Sequence, residues 1–132
     1  MASMEVVIEG RLHIGEYRDN YETLLLRTED DQEPLALMLS YKYSRNYPFW
    51  SVRYFISDVE RHGDEWTAAF LQHIYGDAEI EYQDAYSEIT GYLWTDENFM
   101  VGGHDLLAEL KSAVGGGKKW LRLEITMHTK ED

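Results

Sequence analysis

The chain opens on alternation. Across residues 5–14, EVVIEGRLHI, Val6, Ile8, Leu12 and Ile14 fall on one side and Glu5, Glu9, Arg11 and His13 on the other. A period of two predicts a strand with one buried face. Gly10 interrupts the apolar side and marks a bulge or a close backbone approach. GEYRDN supplies turn residues, and YETLLLR (21–27) predicts a second strand, so the N-terminus reads as an antiparallel hairpin. Four acids then occupy the five positions 29–33, which predicts a loop. In LALMLSYKY (35–43), Leu35, Leu37, Leu39, Tyr41 and Tyr43 alternate, which favours a strand. Pro34 and the Leu/Ala/Met content would also suit the first turns of a helix; the strand is the preferred expectation.

FWSVRYFISD (49–58) is β-branched and aromatic, and Trp50, Val52, Tyr54 and Ile56 share one face of a predicted strand. DEWTAAFLQHIYG (64–76) predicts a helix, with Asp64 as N-cap, Trp66, Phe70 and Ile74 as its stripe, and Gly76 as C-cap. Residues 78–94 are β-like with uneven parity, which calls for a bend or turn near 83–86 or 90–91. After a loop at 95–103, Asp105 caps a short helix over 106–114, with Leu106, Leu107, Leu110 and Val114 inward and 115–117, all Gly, as its stop. KWLRLEITMH (119–128) closes the chain as a strand. It sets Leu121, Leu123, Ile125 and Met127 against Trp120, Arg122, Glu124 and Thr126. Strands dominate and come first. The expected fold is α+β: a mostly antiparallel, bent sheet of five to seven strands with two short helices. One compact domain spans 4–132, and MAS before Met4 reads as a vector remnant.

Charge changes the picture next. The formal net charge is −13, and residues 62–110 carry eleven acids with no Lys or Arg. Such a balance argues against direct binding to phosphate backbones, which needs cations to displace counterions. A solvated acidic surface is the plain reading; an acidic face that meets a basic partner is the sharper one. The absence of Cys excludes disulfides and thiolate chemistry and fits a reducing compartment. No apolar run reaches the ~18–20 residues that span a bilayer. The expected setting is cytoplasmic, without membrane contact.

Motifs for chemistry are sparse. VGGHDLL has a Gly pair before a helix but neither dinucleotide nor P-loop spacing. The five His residues show no metal-ligand spacing, so no metal or other cofactor is expected. Glu88, Asp96, Glu97 and Asp105 could supply an acid and a base for a small hydrolase. Among 25 carboxylates, though, chance neighbours are common, and the balance favours binding over catalysis. Tyr86, Tyr92 and Trp94 lie close in sequence to Glu88, Thr90 and Asp96, a mixture that can stack on a planar group and bond its edges. With His104 and Arg53 these residues form the expected ligand-binding set, the guanidinium gripping a phosphate or carboxylate.

VRYFISD, YSEITGYLWTDE, VGGHDLLAEL and KWLRLEI, in that order and spacing, resemble a family of small phage and prophage proteins of unknown function. The resemblance covers about 49–125 and not the first 48 residues. It implies a phage-type accessory protein in a bacterial host cell, where countering host defence is a common role. Two strategies suit the sequence. One is sequestration of a small ligand, such as a nucleotide signal, in an aromatic and polar pocket. The other is nucleic-acid mimicry, with Asp77, Glu79, Glu81 and Asp84 entering a basic groove of a host protein. Self-association into a homo-oligomer is compatible with either.

Overall fold

A computed structural model describes residues 3–17, 22–81, 85–87, 91–93 and 98–129, by backbone alone at 81, 85–87 and 91–93. The strands are β1 (Ser3–Glu16), β2 (Glu22–Arg27), β3 (Gln32–Pro34), β4 (Phe49–Ser57), β5 (Phe70–Glu81), β6 (Ala85–Ser87), β7 (Gly91–Leu93), β8 (Asn98–Val101), β9 (His104–Asp105) and β10 (Lys118–His128). The α-helices are α1 (Leu35–Lys42) and α2 (Leu106–Val114), and a 3₁₀ segment runs Gly63–Ala69. The fold is α+β. Eight strands form one open antiparallel sheet in the order β3-β2-β1-β10-β4-β5-β8-β9, and β6 and β7 pair as a separate ribbon. The described strands exceed the five to seven expected, and the 3₁₀ segment makes a third helix.

The first and last strands lie side by side in the middle of the sheet, with Ile8 opposite Leu123 and Leu12 opposite Lys119. β10 in turn pairs with β4, Leu123 facing Tyr54 and Ile125 facing Val52. Alternation then does what the sequence pattern requires. Ile8, Leu12, Trp50, Val52, Tyr54, Leu121, Leu123, Ile125 and Met127 point to one face and are buried. They form a single core with Leu35, Ala36 and Leu39 of α1 and Leu106, Leu107, Leu110 and Val114 of α2. Trp50 stacks at a tilt on Phe99, centroids 4.9 Å apart. Burying side chains of this size contributes about 1.5–3 kcal/mol each, which fixes the helices to this face.

Four expected assignments are corrected. Residues 32–33 and 98–101, within stretches read as loops, belong to β3 and β8. Residues 35–42 are helix, not strand. Leu35, Ala36, Leu37 and Leu39 are all buried, so consecutive positions are apolar and the alternation carries no information about period. Pro34 supplies the N-terminal boundary, having no N–H to leave unsatisfied. Residues 64–75 are not one helix. A 3₁₀ segment ends at Ala69, and β5 begins at Phe70. Positions 66, 70 and 74 share parity as well as helical spacing, and pairing with β4 decides between the two. Phe70 faces Phe55 while Gln72 faces Tyr54, so Leu71 is the extra residue of a bulge. Asp64 is not the N-cap. His62 is, and its backbone N–H donates to Glu65 Oε1 at 2.8 Å. Gly76 ends no helix. It lies within β5 at φ 153°, and a Cβ there would stand 2.3 Å from the Gly102 Cα. Asp105 does cap α2, accepting from the Ala108 N–H at 3.3 Å, and also from the Phe99 N–H.

Candidate functional site

The 3₁₀ segment crosses the sheet face away from α1 and α2. Trp66 of that segment is buried edge-on against Phe55, which also meets Phe70 edge-on. Five of the seven arginines lie on or beside this face: Arg11, Arg27, Arg53, Arg61 and Arg122.

They divide into two groups. The central group is neutralised. Arg122 donates to Glu9 and, through Nε at 2.8 Å, to Glu124, while Arg53 donates to the other Glu124 oxygen. Burial alone would raise the Glu124 carboxyl. The Arg122 hydrogen bond and the charges of Arg53 and Arg122 outweigh it and hold the carboxyl below its ordinary range. The same contacts raise the Arg122 guanidinium despite its own burial. Next to this network Ser51 Oγ meets His73 Nε2 at 2.7 Å. Among the described residues no carboxylate holds the other ring nitrogen, so the pair lacks the orienting partner that activates a serine.

The second group is not neutralised. Register places Arg27 opposite Arg11, Arg11 opposite Trp120, and Trp120 opposite Ser57, a row across β2, β1, β10 and β4. Arg61 completes the row. Its Nε donates to the buried Ser57 Oγ at 2.7 Å and its Nη1 to the Glu65 carbonyl at 3.3 Å. None of Arg11, Arg27 and Arg61 has a carboxylate partner among the described residues. Together with Trp66, Trp120, Thr28 and His62 they line a cavity of about 400 Å³. Three glutamates share that lining: Glu9 is engaged by Arg122, Glu60 by His62, and Glu29 is exposed. Trp66 is only 3% exposed, and its indole N–H has no acceptor among the described residues. Gly10 lets β1 and β2 close at this point: a Cβ there would stand 2.4 Å from the Arg27 carbonyl oxygen.

His13, one step along β1, reports the local potential. Burial lowers its pKa below 6.5, and the charges of Arg11, Lys118 and Arg27 lower it further. A cationic cavity with an aromatic wall suits a planar anion. Guanidinium forks match phosphate and carboxylate oxygens, and indole faces stack on rings. The Thr28 hydroxyl is committed to the β2–β3 turn, where it donates to the Asp31 carbonyl and accepts from the Asp31 N–H.

Of the ligand-binding residues expected from sequence, the side chains of Arg53 and His104 are described, and these two lie apart. Arg53 lies on the face away from α1 and α2, bound to Glu124. His104 lies across the sheet. Its Nδ1 meets Glu109 Oε2 at 2.8 Å, and Glu109 Oε1 accepts from the Tyr54 hydroxyl at 2.6 Å and from Gln72 at 2.7 Å. Arg53 and Tyr54, adjacent in β4, necessarily point to opposite faces. Tyr86 and Tyr92 are opposite each other in the β6–β7 ribbon, but their side chains are outside the described residues, as are Glu88, Thr90, Trp94 and Asp96. Asp77 and Glu79 are exposed on β5; the Glu81 side chain and Asp84 lie outside the described residues. Of the carboxylates considered for hydrolysis, Asp105 is committed to capping α2, and Glu88, Asp96 and Glu97 are not described. No group of three or more His, Asp or Glu able to hold a metal occurs among the described residues.

Sequence reasoning placed Arg11 and Trp120 on the polar sides of their strands but did not join them. The available signal was an arginine and a tryptophan at outward parity in β1 and β10. Comparison with family models, with curated proteins and with solved structures finds no match to this chain.

Proposed function

We propose that this protein is a non-catalytic binder of a small planar anion, of the nucleotide class, held in the cavity lined by Arg11, Arg27, Arg61, Trp66 and Trp120. One observation carries the reading. Arg11 and Arg27 are directly opposed on neighbouring strands with no carboxylate partner among the described residues, in a chain with 25 acids and 12 bases. Like charges in that arrangement are destabilising. With acids in such excess, pairing would be the default, and a ligand anion is the partner that makes the arrangement favourable. The cavity of about 400 Å³ falls within the range that small-molecule sites occupy. A phage-type accessory role, implied by the sequence blocks, fits a protein that works by holding a signal out of circulation.

The test is a panel of nucleotides and nucleotide messengers mixed with pure protein, with free ligand measured by mass spectrometry before and after heat release. Depletion followed by return of the unchanged compound supports sequestration. Arg11→Gln and Arg27→Gln should each weaken binding by about 10–100-fold, the loss of one charge-assisted hydrogen bond. A compound returned cleaved would overturn the non-catalytic reading. Depletion untouched by either substitution would overturn the site.

A further inference from the structure

We infer that the free edge of β5 over residues 70–74 is a docking strand for an extended segment of another protein, apolar in its middle and basic at both ends. The inference is independent of the arginine cavity, which is built on β2, β1, β10 and the 3₁₀ segment.

β5 is paired unevenly. On one side it meets β4 from Phe70 to Asp77; on the other it meets β8 only from Ala78 to Glu81. Beyond β8, one backbone bond reaches that second side among the described residues, from the Gly102 N–H to the Asp77 carbonyl at 3.1 Å. Residues 70–74 therefore leave a row of backbone donors and acceptors with no strand beside them among the described residues; at Tyr75 the Gly102 backbone already closes on the edge, where a Cβ on Gly102 would stand 2.0 Å from the Tyr75 carbonyl oxygen. Five residues is the length of an ordinary strand, roughly 17 Å.

Sheets normally blunt such edges with charge, proline or brevity. The outer strands of this sheet obey the rule. β3 is three residues long and carries Glu33 and Pro34; β9 is two residues long. The β5 edge does not. Residues 66–76, WTAAFLQHIYG, hold no Asp, Glu, Lys, Arg or Pro. Phe70, Leu71 and Tyr75 are 48%, 52% and 58% exposed. An apolar, unprotected edge is what strand addition uses: main-chain bonds give affinity, and alternate side chains give selectivity.

The flanks choose the partner. Exposed Asp64 and Glu65 precede the edge, and exposed Asp77 and Glu79 follow it. A second copy added antiparallel would set the acidic end of one strand beside the acidic start of the other, and like charges so placed repel. A segment with Lys or Arg at both ends meets opposite charge at both.

The probe is a fluorescent peptide of about nine residues, Val and Thr alternating, with Lys and Arg at each end. Its anisotropy is followed with the full chain at low and high salt, alongside amide hydrogen exchange. The expected result is saturable binding that weakens several-fold at high salt, with new amide protection confined to 70–74. Leu71→Lys and Tyr75→Lys alter exposed side chains, leave the core intact and should each weaken binding at least about tenfold. No binding, or binding without protection of 70–74, would overturn the inference. Equal binding of a Glu-ended peptide would overturn the partner's chemistry. Protection that rises with protein concentration in the absence of peptide would mean a second copy occupies the edge, and would overturn it too.

Discussion

Arg27→Gln should make the free protein more stable and its ligand binding weaker. Arg27 is exposed, so the substitution disturbs no packing. Its side chain faces Arg11 across the β1–β2 ladder, and directly opposed Cβ atoms lie about 4.5–5.5 Å apart. Two guanidinium groups that splay to roughly 7 Å in a water-like dielectric repel by about 0.6 kcal/mol. Removing one charge should therefore raise unfolding free energy by about 0.3–1 kcal/mol at low salt. The gain should mostly vanish near 0.5 M salt, where the screening length is only about 4 Å. Urea denaturation at the two salt concentrations reads this directly, as a shifted midpoint with an unchanged slope. A lower midpoint at both salts would show that Arg27 makes a stabilising contact and would refute the claim that it waits for a ligand. A gain indifferent to salt would show that charge is not its cause.

Other consequences of the fold are equally specific. Gly10→Ala should cost about 1–3 kcal/mol, because its Cβ would press on the Arg27 carbonyl, and it should weaken nucleotide binding by spreading β1 from β2; denaturation and calorimetry check both. His13 should destabilise the fold as pH falls below 6.5. The folded state resists the proton that the unfolded chain accepts, so stability rises with pH through that window. Arg11→Gln should move the His13 imidazole titration back toward 6.5, as followed by NMR. Glu124 acts lower on the scale. Its contribution is full above its ordinary carboxyl pKa near 4.5 and is lost as pH falls through its lower folded value; Arg53→Gln should shrink that loss in acid denaturation.

The sequence made much of the core legible because period-two alternation is local. Leu121, Leu123, Ile125 and Met127, or Trp50, Val52 and Tyr54, need no partner to reveal their buried side. Asp105 and the inward face of α2 were legible for the same reason. Residues 35–42 were not, since an unbroken apolar run fits either period. Phe70 to Tyr75 were not, since the competing signals tie until β4 offers a ladder. The arginine cavity was hidden more deeply. Arg11 and Trp120 are 109 positions apart and meet only because the two ends of the chain pair at the centre of the sheet. Arg53 and His104, both read as ligand contacts, are separated by the thickness of that sheet, a consequence of strand parity that no local window shows.

The arginine cavity as a nucleotide site is best probed through the tryptophan indole N–H signals in an NMR titration with a nucleotide that the panel selects. Trp66 and Trp120 line the cavity, whereas Trp50 is sealed in the core against Phe99. Saturable shifts of the Trp66 and Trp120 signals, a still Trp50, and loss of the response in Arg27→Gln are expected. A response confined to Trp94, with Trp66 and Trp120 unmoved, would refute the arginine cavity as the site and return it to the segment between β5 and β8.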